Sequence, residues 1–249
     1  MALHLAFSLN EAQKAAMRSI PTHSWFTSIT WENATSPTHP NRRLAENNIK
    51  KLELTRDWIV GSVKGKRVLD LFCANGAFSF IAALAGAREV CGIDYSQDRI
   101  DCAKFVASTI HSGCDLRFLQ GNVYDISEFF DQPFDVVLCL GGLYHVADPA
   151  LILTKIRDLT NDRLIFQTSQ VLPYSENIAK FTVRQADQTQ MGMTSIRGGQ
   201  GTWHYSPSCL HELLLHAGFG ITDERYPASQ ERDRFPWFLA NCQPLSVID

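Results

Sequence analysis

Short apolar runs alternate with helical segments between residues 67 and 169, and this alternation limits the possible folds more than any other feature. Helices are predicted at 76–85, at 97–111 and from Asp148 and Pro149 to residue 160, with a helical turn at 126–130. Strands joined by helices run parallel through right-handed crossovers. The pattern therefore predicts an α/β protein with a Rossmann-like, doubly wound, mostly parallel sheet. Strands are predicted at 67–71, 89–94, 116–120, 134–140 and 163–169.

The C-terminal part of the chain departs from this alternation. A helix that begins at Ser206 and Pro207 and ends at Gly218 is followed by two strand-like runs, 219–226 and 237–242. Two successive strands without a crossover helix pair as an antiparallel hairpin. We therefore expect an antiparallel C-terminal edge hairpin on the sheet.

The first 63 residues are predicted to form a helical or cap segment, followed by the main domain at 64–249. Helices are expected at 9–19, with Asn10 as cap and Gln13 completing a capping box, and at 41–60. Residues 21–40 are interpreted as an ordered loop, because linkers seldom carry large aromatic residues such as Trp25, Phe26 and Trp31. A further insert at 172–205 is assigned to the acceptor side of the main domain.

The formal net charge is −3, so no overall charge indicates a nucleic-acid or membrane surface. Two short basic pairs, Arg42 with Arg43 and Lys50 with Lys51, are interpreted as a solvated helix face. No apolar run of about 18 residues indicates a membrane span, and no signal peptide is recognised. The seven cysteines are scattered without a CxxC motif and are expected to be reduced, which favours a cytoplasmic location.

The segment VLDLFCANGAF at 68–78 marks the end of the first strand and the start of a helix. Small residues here let the backbone approach a ligand, and the helix N-terminus offers unpaired N–H groups. Of a dinucleotide-type G-x-G-x-x-G motif only Gly76 is present, so a pyrophosphate ligand is disfavoured. An acidic residue suits a cationic ligand, although a plain strand-to-helix turn is the alternative. The cofactor-binding candidates here are Asp70, Phe72, Cys73, Ala74 and Gly76.

The ends of the next strands supply further candidates for the same ligand. Asp94, with Tyr95 beside it, is placed to bind both ribose hydroxyls; its alternative role as a helix cap is disfavoured because Ser96 fits that place. Asn122 and Val123 offer an amide and an apolar face to adenine, or else form an ordinary turn. Leu140 and Tyr144 complete the cofactor candidates after the fourth strand.

These strand ends together resemble class I S-adenosylmethionine-dependent methyltransferases, over about residues 67–243. The antiparallel C-terminal edge fits this class better than a dehydrogenase. The resemblance implies S-adenosylmethionine as cofactor.

A narrower resemblance, to the tRNA wobble-uridine carboxymethyltransferase group, rests on LGGLYH at 140–145, GTWHYSPS at 201–208 and ERDRFPW at 231–237. That group uses carboxy-S-adenosylmethionine, whose carboxylate is held by a lysine, a tyrosine and an arginine. Tyr144 matches the tyrosine and Arg234 the arginine, but the segment at 25–28 has no lysine. A strong basic surface is also missing. We therefore predict ordinary S-adenosylmethionine and a different acceptor.

Methyl transfer from a sulfonium mainly requires alignment of donor and nucleophile, at about 3–3.5 Å. A general base is needed only where the acceptor must lose a proton, and His145 is the first candidate; packing beneath the cofactor is its alternative role. His204 is a second candidate for base or acceptor ligand. The remaining substrate-binding candidates, beside Tyr144 and Arg234, are Arg197, Trp203 and Tyr205.

The sequence thus predicts an enzyme that transfers methyl from S-adenosylmethionine to an oxygen or nitrogen of a small-molecule acceptor. The alternatives are a tRNA wobble-uridine (carboxy)methyltransferase and a non-catalytic S-adenosylmethionine-binding regulatory module. Nucleic acid is not the expected partner, although it is not excluded, and no membrane partner is expected. No metal site is predicted: His211 and His216 are five apart on a helix and do not share a face. The oligomeric state and the acceptor's identity do not follow from the sequence.

Overall fold

A computed structural model describes residues 2–169, 176–185, 199–232 and 236–246 of the chain. The chain divides into two units, Met1–Gly121 and Asn122–Asp249. The predicted division at residue 63 remains a prediction.

The first unit begins with a small sheet and two helices. Strand β1 pairs with β2 in parallel, and β2 pairs with β3 antiparallel. Residues 21–40 are ordered as predicted, since Trp25 and Trp31 are buried. The prediction of a loop there was wrong, however, because the segment contains β2 and β3. These elements are β1 (Leu3–His4), α1 (Glu11–Ser19), β2 (Ile29–Trp31), β3 (Ala34–Thr35) and α2 (Arg42–Ser62).

The capping box that was predicted for the first helix is present. The Asn10 side chain accepts the Gln13 backbone N–H at 2.8 Å, and the Gln13 side chain accepts the Asn10 N–H at 2.9 Å. Two of the otherwise unpaired donors at the start of α1 are thereby satisfied.

The second part of the first unit is a parallel three-stranded sheet with its crossover helices. Strands β4, β5 and β6 pair in chain order, with Asp70 opposite Gly92 and Gly92 opposite Phe118. The predicted strands are confirmed here, while the second of these helices ends at Ala107 rather than at residue 111. The elements are β4 (Arg67–Leu71), α3 (Ala77–Leu84), β5 (Glu89–Asp94), α4 (Gln97–Ala107) and β6 (Asp115–Gln120).

The second unit contains parallel and antiparallel strands in the order β7, β8, β12, β11. Strands β7 and β8 are parallel, whereas β12 pairs antiparallel with both β8 and β11. The expected antiparallel edge is therefore confirmed. The elements are α5 (Ile126–Phe129), β7 (Phe134–Leu140), α6 (Pro149–Asp158), β8 (Thr160–Thr168), β9 (Ala179–Gln185), β10 (Gly199–Tyr205), α7 (Pro207–His216), β11 (Phe219–Arg225) and β12 (Phe238–Pro244).

Two predicted helix starts in this unit are confirmed by their side-chain caps. The Asp148 carboxylate accepts the Leu151 N–H at 3.0 Å, and the Ser206 hydroxyl accepts the Cys209 N–H at 3.3 Å. A proline occupies the first turn of each helix, where its missing N–H costs nothing.

The acceptor-side insert contains regular structure. Its strands β9 and β10 form an antiparallel pair, in which Trp203 lies opposite Phe181 and Tyr205 lies opposite Ala179. Because side chains alternate between the two faces of a strand, Trp203 and Tyr205 share one face of β10, and His204 lies on the other.

The prediction of a solvated basic face on α2 is wrong for Lys51. Its side chain is buried, and its Nζ atom lies 6.0 Å from the centroid of the Phe78 ring. Its neighbour Lys50 instead pairs with Glu53 at 3.5 Å. Within the described residues, no helix is both long enough and apolar enough to cross a membrane.

Candidate functional site

The turn between β4 and α3 has unusual backbone geometry. Phe72 and Ala74 have positive φ angles of 59° and 49°, although neither is glycine, and Gly76 follows at 81°. A side chain in this left-handed region costs roughly 1–2 kcal/mol per residue, so the surrounding bonds must hold the turn in place. Such backbone strain is concentrated at binding and catalytic sites. The turn predicted from the sequence is therefore a strong candidate for a ligand site.

Asp94, at the end of β5, holds this turn through its carboxylate. One oxygen accepts the Ala74 backbone N–H at 3.0 Å, and the other accepts the Ser96 N–H at 3.0 Å. The Arg99 guanidinium lies 3.8 Å from the second oxygen. Each carboxylate oxygen has a second lone pair, so Asp94 retains the capacity to accept further hydrogen bonds.

Ser96 does not make the capping bond that was expected of it. It occupies the N-cap position of α4, but its side chain accepts no hydrogen bond from the helix. A role of Asp94 in capping had been disfavoured on the ground that Ser96 would cap the helix. That argument was wrong, because Ser96 makes no such bond and Asp94 itself accepts the Ser96 N–H. Tyr95, between them, is partly buried, and its carbonyl accepts the Gln120 side-chain N–H at 3.1 Å.

Gly76 is required for a packing reason that the sequence did not reveal, in addition to the predicted approach of a ligand. A Cβ atom at this position would lie 2.8 Å from ring atoms of both Phe118 and Phe80. The glycine is therefore needed for packing against two aromatic rings as well as for its positive φ. In the same turn, the buried Cys73 donates its backbone N–H to the Ile93 carbonyl at 3.1 Å.

Asp70 lies beneath α3 rather than at an open strand end. It is 1% exposed, and its carboxylate accepts the Ser79 hydroxyl at 2.6 Å. Burial raises its pKa to about 7, and the charge of Lys51 acts in the opposite direction. Burial lowers the pKa of Lys51 to about 8, against the attraction of Asp70. A direct contact of Asp70 with a cationic ligand is therefore not indicated by its position.

This buried pair predicts a particular dependence of stability on pH. Between pH 4 and 7 the folded state keeps a proton on Asp70 that the unfolded state has released, so the free energy of unfolding falls as pH rises. Between pH 8 and 10.5 Lys51 is deprotonated only in the folded state, so stability rises with pH. Asp70→Asn, which keeps a hydrogen-bond acceptor for Ser79, is expected to remove the acid-side contribution. Urea unfolding of both proteins at pH 5 and 7.5 measures this contribution. An equal change in the free energy of unfolding between the two pH values in both proteins would contradict it.

In the second unit, Asn122 forms a turn through its own side chain. Its carbonyl oxygen accepts the Tyr124 N–H at 3.1 Å and caps a 3-10 turn over Val123–Asp125. The alternative that the sequence left open, in which Asn122 forms an ordinary turn, is thus observed. Val123 is buried, at 8% exposure.

The end of β7 leads into a second short turn. Leu140 is buried, and the Gly141 N–H donates to the Gln167 carbonyl at 3.2 Å. A 3-10 turn then covers Leu143–His145. The rings of Tyr144 and His145 lie 4.1 Å apart, between centroids, and both side chains are partly buried. Tyr144 and the candidate base are thus neighbours on one turn.

The pair of β-strands from the insert presents aromatic residues to this turn. The Trp203 indole N–H donates to the Val146 carbonyl at 3.0 Å. Trp203 and Tyr205 are stacked at 6.1 Å, and Phe181 lies 4.8 Å from Trp203, between ring centroids. We call Phe181, Trp203 and Tyr205 the aromatic wall.

His204 is separated from the aromatic wall by the alternation of β10. Its Nε2 atom lies 3.0 Å from the Thr182 hydroxyl, which also donates to the Thr202 carbonyl. An acceptor that contacts Trp203 and Tyr205 therefore lies on the opposite face of β10 from His204. The three residues were predicted to act at one site, but β10 does not present them on one face. Arg197 and Arg234 lie outside the described residues.

Sequence reasoning missed three buried polar residues, one in the first unit and two in the second. Gln167 and Thr168 end β8, and Lys51 lies on α2. The signal for Lys51 was available, because it adjoins Asn48, Leu52 and Thr55 on the buried stripe of that helix. Among the residues with described placement, no group of three or more His, Cys, Asp or Glu side chains is arranged to hold a metal ion.

Sequence comparison agrees with this geometry. Residues 62–211 match the methyltransferase domain family, and the chain therefore belongs to that family.

The chain is also similar to particular members of the family. A ubiquinone biosynthesis O-methyltransferase of Neisseria meningitidis serogroup C (strain 053442) is 34% identical over 116 residues, which cover 45% of this chain and 48% of that protein. The corresponding enzyme of Dechloromonas aromatica (strain RCB) is 36% identical over 100 residues, covering 39% and 42%. The chain thus spans less than half the length of these curated relatives.

Solved structures share the fold. An S-adenosylmethionine-dependent methyltransferase from Mesorhizobium loti matches with a TM-score of 0.60 at 17% identity, covering 79% of this chain and 99% of that one. Magnesium protoporphyrin IX methyltransferase from Synechocystis PCC 6803, with bound S-adenosylmethionine, matches with a TM-score of 0.62 at 15% identity, covering 95% and 99%. At these identities the likeness concerns the α/β Rossmann-like fold alone.

Proposed function

We propose that this protein transfers a methyl group from S-adenosylmethionine to an oxygen or nitrogen atom of a small-molecule acceptor. The observation that carries the proposal is the strained turn at 72–76, whose Ala74 amide is held by Asp94. Membership of the methyltransferase domain family supports it independently.

The residues that we assign to the donor follow the strand ends. Asp94 accepts hydrogen bonds from the ribose hydroxyls through its remaining lone pairs, and the backbone of Phe72, Cys73, Ala74 and Gly76 lies along the ligand. Asn122 and Val123 bind the adenine edge and face. We also assign Tyr95, Leu140 and Tyr144 to the donor. We assign Asp70 an indirect role, beneath the turn.

Methyl transfer mainly requires the protein to align the donor with the acceptor. When bound, S-adenosylmethionine supplies a methyl group on a positively charged sulfur. The protein holds the acceptor in line at about 3–3.5 Å, and His145 accepts the proton if the acceptor is a hydroxyl.

An oxygen acceptor is favoured, because the relatives from Neisseria and Dechloromonas are O-methyltransferases. Polar atoms of Gln167, Thr168 and Tyr205 support an acceptor site in the second unit. Each residue is at most 1% exposed, and the side-chain carbonyl or hydroxyl oxygens have no hydrogen-bond partner among the described residues. Buried polar atoms are normally paired, so these are suited to a bound ligand. We also assign Arg197 and Arg234 to this side.

Transfer of labelled methyl from S-adenosylmethionine to a panel of phenols, alcohols and amines tests the proposal. We expect methylation of at least one hydroxyl acceptor. His145→Gln is expected to slow it by roughly 10²–10⁴-fold, which is the usual contribution of a general base. Donor binding without transfer to any acceptor would instead favour the regulatory module.

The second candidate function is that of a tRNA wobble-uridine (carboxy)methyltransferase. The motifs at 140–145, 201–208 and 231–237 favour it. This candidate predicts preference for carboxy-S-adenosylmethionine and tRNA binding that weakens steeply with salt.

Two further points belong to the main proposal of a small-molecule methyltransferase. They are the division into a cap at 1–63 and a main domain, and a cytoplasmic location.

A further inference from the structure

Tyr124 links two turns of the second unit through its hydroxyl. The Tyr124 oxygen accepts the backbone N–H of Ala147 at 2.6 Å and that of Asp148 at 3.0 Å. Its backbone is held as well, because the Asn122 side chain accepts its N–H at 3.1 Å and the Lys155 ammonium donates to its carbonyl at 2.7 Å. The turn at 122–125 is therefore bonded directly to residues 146–148, which we call the link loop.

The link loop is also held by a residue that lies 57 positions later in the chain. Its Val146 carbonyl accepts the Trp203 indole N–H at 3.0 Å, and the Val146 N–H donates to the Leu143 carbonyl at 3.3 Å. The loop thus directly follows the turn that carries Tyr144 and His145, and it contacts the aromatic wall.

Hydrogen bonds, rather than burial, hold most of the link loop. Val146 is buried, but Ala147 and Asp148 are exposed, so apolar packing contributes little at these two residues. A loop held mainly by a few hydrogen bonds is readily shifted when one of its anchors moves. Tyr124 is such an anchor, and it is two residues from Asn122.

We infer that Tyr124 is a positioning residue, which couples occupancy of the nucleoside turn at 122–123 to Trp203 of the aromatic wall through the link loop. This inference rests on the proposed function. A nucleoside that orders Asn122 and Val123 fixes the 3-10 turn, and the Tyr124 hydroxyl then fixes Ala147 and Asp148. Val146 in turn sets the position of Trp203. The donor thereby prepares the acceptor side, without Tyr124 touching either ligand.

The test uses S-adenosylhomocysteine as probe and the five indole N–H resonances of the full-length protein as readout. Trp203→Phe identifies the Trp203 resonance. In the wild type, S-adenosylhomocysteine is expected to shift this resonance. In Tyr124→Phe the shift is expected to fall by roughly fivefold or more, in line with ordinary coupling between sites, while probe affinity changes less than about threefold. Tyr226→Phe, which also removes only a hydroxyl, is the matched control and should keep the full shift.

The outcomes separate the inference from the function on which it rests. Wild-type protein that does not bind S-adenosylhomocysteine would overturn both. Binding with an equal Trp203 shift in wild type and Tyr124→Phe would overturn the coupling alone. Should Tyr124→Phe fail to fold, hydrogen exchange of the Ala147 and Asp148 amides is compared in the wild type with and without S-adenosylhomocysteine. Probe-dependent protection of these two amides supports the link, and equal exchange with and without the probe contradicts it.

Discussion

Replacing Asp94 with alanine is expected to weaken the binding of S-adenosylmethionine by at least about tenfold, or ~1.4 kcal/mol. The change removes the proposed acceptor of the ribose hydroxyls. It also frees the N–H groups of Ala74 and Ser96, so the strained turn loses the side chain that holds it. The dissociation constant, measured by calorimetry for wild type and variant, gives the result.

Ser96→Ala is the matched control for this experiment. Ser96 donates its backbone N–H to Asp94, but its side chain makes no capping bond to α4, so removing the hydroxyl should leave donor affinity unchanged. An Asp94→Ala protein that is folded and binds the donor as tightly as the wild type would remove Asp94 from the site.

Gly76→Ala is expected to lower the free energy of unfolding by about 2–5 kcal/mol. A left-handed φ costs a side chain roughly 1–2 kcal/mol, and overpacking of a core costs typically about 1–3 kcal/mol. Both apply here, because φ is 81° and the added methyl group would lie 2.8 Å from Phe118 and Phe80. Urea unfolding measures the loss.

Two further variants separate the steric cost from the backbone cost. Gly61→Ala, near the end of α2, meets no atom within 4 Å and is expected to be neutral or to stabilise by up to about 1 kcal/mol. Phe118→Leu makes room beside Gly76, so adding Gly76→Ala to it should cost less than adding Gly76→Ala to the wild type. Equal costs in both backgrounds would show that the Phe118 ring is not the obstacle.

The strand and helix pattern was readable from the sequence because each strand is a continuous apolar run with turn residues at its ends. The run FDVVLCL at 134–140 coincides with β7, and Asp148 and Ser206 cap the helices for which they were proposed. Local rules suffice for such features, since the side chain and the amide that it caps are three residues apart.

The roles of individual side chains were harder to predict, because they depend on partners distant in the sequence. Asp70 was expected at a ligand, but its carboxylate accepts the Ser79 hydroxyl, and it is influenced by the charge of Lys51, whose burial on α2 was not expected. Gly76 was assigned to ligand approach, although the rings that require it include Phe118, 42 residues later.

The acceptor side was predicted least well. The insert was assigned to the acceptor side without any predicted strand, because its strand β10, GQGTWHY, has too little apolar character to be recognised. Once that strand is known, the period of two places His204 opposite to Trp203 and Tyr205. Tyr124 was not identified from the sequence. Its hydroxyl accepts the backbone N–H groups of Ala147 and Asp148, and no pattern of residue types predicts such bonds to backbone amides.

Calorimetric titration of the wild-type protein with S-adenosylmethionine, carboxy-S-adenosylmethionine and NAD tests the assignment of the nucleoside site most directly. We predict one molecule of S-adenosylmethionine bound per chain, more tightly than the carboxylated donor, with no measurable binding of NAD. Tighter binding of NAD, or no binding of any of the three, would contradict the assignment.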